Sequence, residues 1–241
     1  MRLFISTGGK GERLYPLTKD IPKPLVNIAG KPILHHLVDW AKGQGISDIV
    51  MMNGHMAEKI VKYFGQGNNF GIPIIHSTEP FPLGSGGPLK LAGRHINGLC
   101  AYISGDLICD VNLKSMESFH HLKKAHITAL VHPSSHPEDS DILKLDEEGR
   151  VVKFFSKKEE HKDAGILGNA GLCIFEPIIL SLMDREVFNF ENYLFPKILN
   201  NYLRFFGYQT EDFIHDTGTI ERLNKCEEYI KEVSKKVLTL N

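Results

Sequence analysis

The sequence predicts an α/β protein, doubly wound around a mostly parallel, Rossmann-like sheet with helices on both faces and a small antiparallel subregion. Three observations carry that reading. Short apolar runs alternate with helix-period segments over residues 1–132, a glycine-rich turn follows the first run directly, and paired extended segments take over after residue 133.

Residues 3–6 read as a buried strand. Ile33, Leu34, Leu37, Val38 and Ala41 recur at helical spacing until Gly43 and Gly45 break the pattern. Residues 49–52 are the next strand, and Ile60, Val61 and Phe64 mark a second helix. The alternation continues through 72–76, the helix-like 88–95, the strand 99–104, a helix around Met116, Phe119 and Leu122, and the strand 127–132. Strand–helix–strand repetition with short links implies right-handed crossovers onto a parallel sheet covered on both sides. Beyond it, 141–145 and 150–155 flank Asp146-Glu147-Glu148-Gly149, a hairpin signal. Residues 171–175 form another strand, 190–199 a helix, and 204–209 and 213–215 short strands. A charged amphipathic helix over 220–237 carries the stripe Leu223, Cys226, Ile230 and Val233. With no repeat or separating linker, residues 1–241 read as one domain.

Hydrophobic residues make up 42% of the 241 and charged residues 24%, which suits a globular chain with a core. A formal net charge of −1 excludes field-scale attraction to nucleic acid or an anionic membrane, so anionic ligands must be held by a few local cations. Cys100, Cys109, Cys173 and Cys226 are widely spaced and suggest neither a zinc knuckle nor a disulfide framework. Unpaired thiols, a start without a signal-peptide apolar region, and no apolar run of roughly 20 residues lead to the expectation of a cytoplasmic protein. No nucleic-acid or membrane partner is expected.

Gly8-Gly9-Lys10-Gly11-Glu12-Arg13 follows the first strand. Without a Cβ, glycines let backbone N–H groups approach phosphate oxygens, and open α/β sheets bind ligands at the carboxyl ends of their strands. The spacing is neither a Walker A loop nor the dinucleotide fingerprint.

The continuation is more specific. Gly8 to Thr18, then Pro22-Lys23-Pro24-Leu25, then Gly30-Lys31-Pro32, resembles the signature G-G-x-G-x-R-L-x-P-L-T…P-K-P-L…G-K-P of the sugar-1-phosphate nucleotidylyltransferases. The mannose- and heptose-1-phosphate guanylyltransferases are the nearest in character. The resemblance implies a nucleotide-binding core over 1–132 and a sugar-binding part with the C-terminal helix over 133–241. It implies nucleotide contacts from Gly8, Gly9, Gly11 and Arg13, and catalytic roles for Arg13 and Lys23. The forked guanidinium of Arg13 suits triphosphate oxygens. The prolines beside Lys23 fix its backbone.

Further matches run along the chain. Glu79-Pro80…Leu83-Gly84-Ser85-Gly86-Gly87 is similar to the family's segment near the base, implying contacts from Gly84, Ser85 and Gly86. Gly105-Asp106 and His215-Asp216-Thr217-Gly218-Thr219 match the points where relatives supply metal-binding aspartates, so Asp106 and Asp216 are the expected Mg²⁺ ligands, with Asp110 a further candidate. Asn169-Ala170-Gly171 resembles a sugar-contacting N-A-G, and Gly105 is placed with the sugar phosphate. In Phe154-Phe155-Ser156-Lys157-Lys158, where the family writes F-x-E-K-P, Lys157 keeps the implied phosphate-binding and catalytic role. Ser156 replaces a glutamate that contacts sugar hydroxyls, and Lys158 replaces a proline.

The implied reaction joins a nucleoside triphosphate to a sugar 1-phosphate and releases pyrophosphate. GTP with mannose or heptose 1-phosphate is favoured. The heptose expectation comes from a P-x-D-S-D-like stretch at 137–141. The alternatives are UTP, dTTP or CTP in the same reaction, or a catalytically idle regulatory homologue that binds nucleotide-sugar. The phenylalanine-rich stretch 188–195 is expected to be exposed and to supply a homodimer face. The adjacent pairs His35-His36 and His120-His121 point in different directions on their helices and are not read as chelators.

Overall fold

The computed structural model describes residues 1–134, 137, 140–157 and 165–239, with side chains described as far as 236. Lys158, His136, Glu138 and Asp139 lie outside the described residues. Strands β1 (Arg2–Ser6), β4 (Ile49–Asn53), β5 (Ile74–Thr78) and β6 (Cys100–Ser104) are parallel neighbours in the order β6-β1-β4-β5. Between β1 and β4 come the small antiparallel pair β2 (Asn27–Ile28) and β3 (Lys31–Pro32), then helix α1 (Ile33–Gly43). Helices α2 (Ala57–Phe64) and α3 (Gly87–Leu91) make the later crossovers.

The central strands are apolar throughout because both faces are covered. Leu3 and Ile5 of β1 point to a core shared with Leu34 and Leu37 of α1, whereas Phe4 points to the opposite core with Leu89 of α3; all six are at most 1% exposed.

After β6 come β7 (Leu107–Cys109), α4 (Leu113–Leu122), β8 (Ile127–Pro133) and the hairpin β9 (Ile142–Leu145)–β10 (Val151–Phe155). Strand β11 (Leu167–Phe175) then inserts antiparallel between β6 and β8. The hairpin joins the same sheet through β9, which pairs antiparallel with β11, so β10 and β11 alone among the described strands of the sheet run against the others and the sheet is mostly parallel, as expected. A π-helical turn over Phe190–Leu194 leads into α5 (Phe195–Asn200), and β12 (Phe205–Gln209) adds parallel to β8 at the edge. Strand β13 (Ile214–Asp216) pairs with β7, and α6 (Ile220–Thr239) packs Leu223 and Cys226 over Ile108 and Ile28. Among the described residues no helix is long and apolar enough to cross a membrane.

The stretch 188–195 corrects one expectation. Phe188, Phe190, Leu194 and Phe195 are buried, and Phe188 exchanges backbone hydrogen bonds with Leu83 and Gly86. Its aromatic side chains close the chain's own core and are not free to face a second subunit.

His120 of α4 is buried and donates or accepts one hydrogen bond, Nδ1 to Thr128 Oγ1 at 2.8 Å, while Nε2 finds no hydrogen-bond partner among the described residues. Burial first, then the charges of His121 and His126, push its pKa down to about 4. The folded state therefore prefers neutral His120. The stability this gives is complete above the ordinary pKa of 6.5 and is lost as pH falls toward 4. The loss amounts to about 3 kcal/mol. Urea unfolding across that window is expected to show His120→Asn losing less stability than the parent; equal losses would take His120 out of the acid response.

Candidate active site

The carboxyl ends of β1, β4, β5 and β6 open onto a cleft of about 600 Å³. Its walls include Gly8, Gly9, Lys23, Glu79, Gly84, Ser85, Gly105 and Asp106. A Cβ on Gly8 would stand 3.3 Å from Glu79 Oε1, so the glycine lets the first loop lie against that carboxylate. Gly11 serves the loop itself: its φ is +68°, and a Cβ would stand 2.8 Å from Lys23 Cβ. Thr18 Oγ1 donates to the Gly11 carbonyl at 2.9 Å and closes the loop.

Two of the three residues expected from the second glycine segment, Gly84 and Ser85, line the cleft. Gly86 is packed behind it, where a Cβ would meet the Phe188 ring at 2.2 Å. Gly86 thus answers to internal packing. Ser85 Oγ accepts from Phe190 N–H at 2.9 Å and so fixes the same wall.

Lys23 sits in a tight 3₁₀ turn between Pro22 and Pro24 and is buried. Its ammonium donates to Asp106 Oδ2 at 2.5 Å. Thr217 donates from both its N–H (2.9 Å) and its Oγ1 (2.8 Å) to the Asp106 carbonyl. With Asp216 paired to Leu107 across β13 and β7, the two aspartates become neighbours despite a separation of more than a hundred positions.

Asp216 is held by a residue the sequence did not single out. Arg222 Nη1 donates to both its carboxylate oxygens, at 3.1 and 2.9 Å, and Gly218 N–H donates to Oδ1 at 2.8 Å. Burial works to raise the Asp216 pKa, but these hydrogen bonds and the charges of Arg222 and Lys23 outweigh it and hold the carboxyl below its usual range. Arg222 lies two residues into α6, where its arginine had the look of any solvated helix charge.

Arg13 completes the group from the opposite side. A Cβ on Gly218 would lie 2.7 Å from Arg13 Nη2 and 2.6 Å from Asp216 Oδ1, so the guanidinium lies across the bare Cα beside that carboxylate. Gly218→Ala is expected to fold, because both obstructing atoms end flexible side chains, and to lower turnover roughly tenfold by displacing them. Unaltered turnover at unaltered melting temperature would refute it.

Asp110 is not part of this group. Its carboxylate accepts from Tyr229 Oη at 2.7 Å and ties α6 to β7.

Lys157 and Asn169 form a second group, joined through Asp141. Asp141 Oδ1 accepts from Lys157 N–H at 2.9 Å, and its carbonyl accepts from Asn169 N–H at 2.8 Å. Gly171 (φ +75°) bends β11 so that its Cα passes close to Ser104 and Leu107 beside the cleft. Tyr102 links the groups: its hydroxyl donates to Ser85 O at 3.3 Å and feels the charges of both Asp106 and Glu191.

The first group suits a polyanion that carries a divalent ion. Asp106 and Asp216, brought to neighbouring strands by the β7–β13 pairing, are the carboxylates that would offer hard oxygen donors to Mg²⁺, with phosphate oxygens and water completing its shell. Among the described residues no cluster of three or more metal-binding side chains occurs, so such a shell would draw on the ligand.

Comparison with known proteins gives a consistent picture. The model of the family described as Nucleotidyl transferase matches residues 4–233. The mannose-1-phosphate guanylyltransferase of Mycobacterium tuberculosis is 32% identical over 221 residues, covering 90% of this chain and 61% of that protein. The mannose-1-phosphate guanyltransferase of Saccharomyces cerevisiae is 30% identical over 227 residues, with the same coverage. The chain thus spans about 61% of the length of these curated relatives. Among solved structures, HddC from Yersinia pseudotuberculosis complexed with GMP-PN superposes with a TM-score of 0.81 at 25% identity, covering 95% of this chain and 99% of that one.

Proposed function

The chain belongs to the nucleotidyl transferase family, and from that premise we propose that it transfers the guanylyl group of GTP to a manno-configured sugar 1-phosphate, mannose or heptose, and releases pyrophosphate. The observation that carries the reading is the convergence of Lys23–Asp106 with Arg13, Asp216 and Arg222 at the carboxyl ends of β1 and β6. The names of the relatives support the choice of guanine and mannose.

The attacking oxygen belongs to a phosphate monoester whose second pKa is about 6, so it is already anionic near neutral pH. It forms a bond to the α-phosphorus as the bond to the pyrophosphate oxygen breaks. No general base is needed. The obstacle is the approach of two anions and the charge that develops on the leaving group. Lys23 and Arg13 supply fixed positive charge there, and Lys157 holds the sugar phosphate in line. Mg²⁺, which the Asp106 and Asp216 oxygens would hold, adds charge neutralisation across the phosphates when bound. Arg222 keeps Asp216 ionised and oriented.

The test is a screen of GTP, UTP, dTTP, CTP and ATP against mannose, heptose and glucose 1-phosphates, read by pyrophosphate. GTP with a manno-configured sugar is expected to exceed other pairs by at least ~10-fold. A different best nucleotide would overturn the guanine assignment alone. Silence across the whole panel, with nucleotide-sugar still bound, would favour the idle regulatory homologue.

A further inference from the structure

We propose that a cavity at the opposite end of the sheet from the catalytic cleft is a second binding site, built for a phosphoryl group. It is independent of the transferase reading, because no residue of the cleft takes part in it.

The cavity, of about 510 Å³, lies where the C-terminal end of α4 meets three strands: β8 and β12 begin there and β11 finishes there. The catalytic cleft sits at the carboxyl ends of the parallel strands, and this cavity sits at the amino ends. His120, Lys124, His126, Glu176 and Arg204 line it.

One wall holds a donor with nothing to bind. His120 is 1% exposed. Thr128 Oγ1 is fully buried and makes no hydrogen bond among the described residues besides that with His120 Nδ1. The hydroxyl proton therefore goes to Nδ1, and the neutral ring carries its own proton on Nε2. That N–H faces Glu176 Oε1 at 3.8 Å, too far for a hydrogen bond. A buried donor left unmade is destabilising, and folded proteins keep few of them without a reason.

The other walls add cations. His126 Nδ1 accepts from the Arg204 N–H at 3.0 Å, which leaves its Nε2 to carry the proton and donate. Arg204 Nε donates to the Lys124 carbonyl, so the guanidinium is tethered while its two terminal nitrogens make no bond among the described residues. Neither it nor the Lys124 ammonium meets a carboxylate among those residues. Lys124 stands at φ +47°, in the left-handed position just beyond α4 that glycine usually takes. Backbone strain of this kind clusters at ligand clamps.

Glu176 is the opposing charge. Its side chain is 37% exposed and its carboxylate makes no hydrogen bond among the described residues, so it can turn aside. Imidazole N–H, ammonium and guanidinium then face one space, and a phosphoryl group has the charge and the three acceptor oxygens to take them all. A divalent cation fits worse. The proton on His120 Nε2 occupies the lone pair a metal needs, and the described residues hold no cluster of three metal-binding side chains.

The test titrates the full chain with inorganic phosphate and follows the histidine ring signals by NMR, with His120 assigned through its loss in His120→Asn. Phosphate is expected to shift the His120 and His126 signals saturably, while chloride at equal ionic strength leaves them in place. Arg204→Gln is expected to weaken the binding at least ~10-fold, and Glu176→Gln to tighten it ~3-fold, since one removes a charged donor and the other a like charge. Parallel titrations with mannose 1-phosphate and GMP identify the bearer: the tightest of the three is the form of phosphate the site takes. Shifts confined to residues of the catalytic cleft, equal shifts with chloride, or unchanged affinity in Arg204→Gln would each overturn the proposal. If Arg204→Gln does not fold, Lys124→Gln takes its place, and the parent's response to phosphate against chloride decides without either.

Discussion

Asp106→Asn is expected to lower turnover at least ~100-fold, the scale on which a preorganised electrostatic group acts at a developing charge. The substitution removes an oxygen donor from the pair with Asp216 and strips Lys23 of its counter-ion. The second effect acts on folding. Lys23 is 6% exposed, and breaking a buried ion pair by removing one partner costs about 3–5 kcal/mol. The Asp106 side chain is 34% exposed, so water can partly rehydrate the stranded ammonium and the cost falls toward the lower end. The double variant Lys23→Met/Asp106→Asn separates the two effects. It is expected to regain most of the lost stability in urea unfolding, since no unpaired charge remains, and to stay inactive. Recovery of turnover in the double variant would mean that the stray Lys23 charge, not the missing carboxylate, had impaired the single one. Near-normal turnover in Asp106→Asn alone would remove it from the mechanism.

The parts of the fold that were legible in the sequence are those where one physical cause dominates. The strand containing Leu3, Phe4 and Ile5 reads correctly because burial on both faces demands a continuous apolar run, and α1 reads correctly because its buried residues follow the helical period. The direction of β11 was not legible. Side-chain alternation is the same in a parallel and an antiparallel strand, and direction is fixed by where the preceding chain leaves off. The stretch 188–195 misled for a related reason. Phe188, Phe190, Leu194 and Phe195 fit no single helical stripe, which in retrospect fits a turn enclosed on several sides better than an exposed face.

The candidate site divides in the same way. Glycine and proline constrain the backbone and leave a local trace, so the loop around Gly11 and the braced Lys23 stand out. Arg222 and Asp141 leave none, because each acts through a partner brought near only by the completed sheet. Their residue types are those of ordinary surface charge. Gly86 shows a further need: the ring of Phe188 leaves no room there for a Cβ, whatever else the residue does.

Arg13 offers the sharpest test of whether geometry or charge alone matters in the cleft. It projects from a single 3₁₀ turn anchored by the fully buried Leu14, and its own side chain is exposed, so replacing it is expected to change stability by no more than about 0.5 kcal/mol. Arg13→Ala is expected to lower turnover ~100-fold, the cost of one positioned donor group at the reacting phosphates. Arg13→Lys is expected to recover little of it. The guanidinium reaches across the bare Cα of Gly218 as a flat plate beside Asp216, where a plane fits, and it offers paired donors to two phosphate oxygens at once. An ammonium is a round, strongly hydrated point charge that supplies the sign but not the fork. Steady-state rates for both variants, with the KM for nucleotide measured separately, decide the matter. If Arg13→Lys keeps more than half of parental turnover, positive charge alone suffices at that position. If Arg13→Ala is unimpaired, the first glycine loop binds its ligand without help from this side chain.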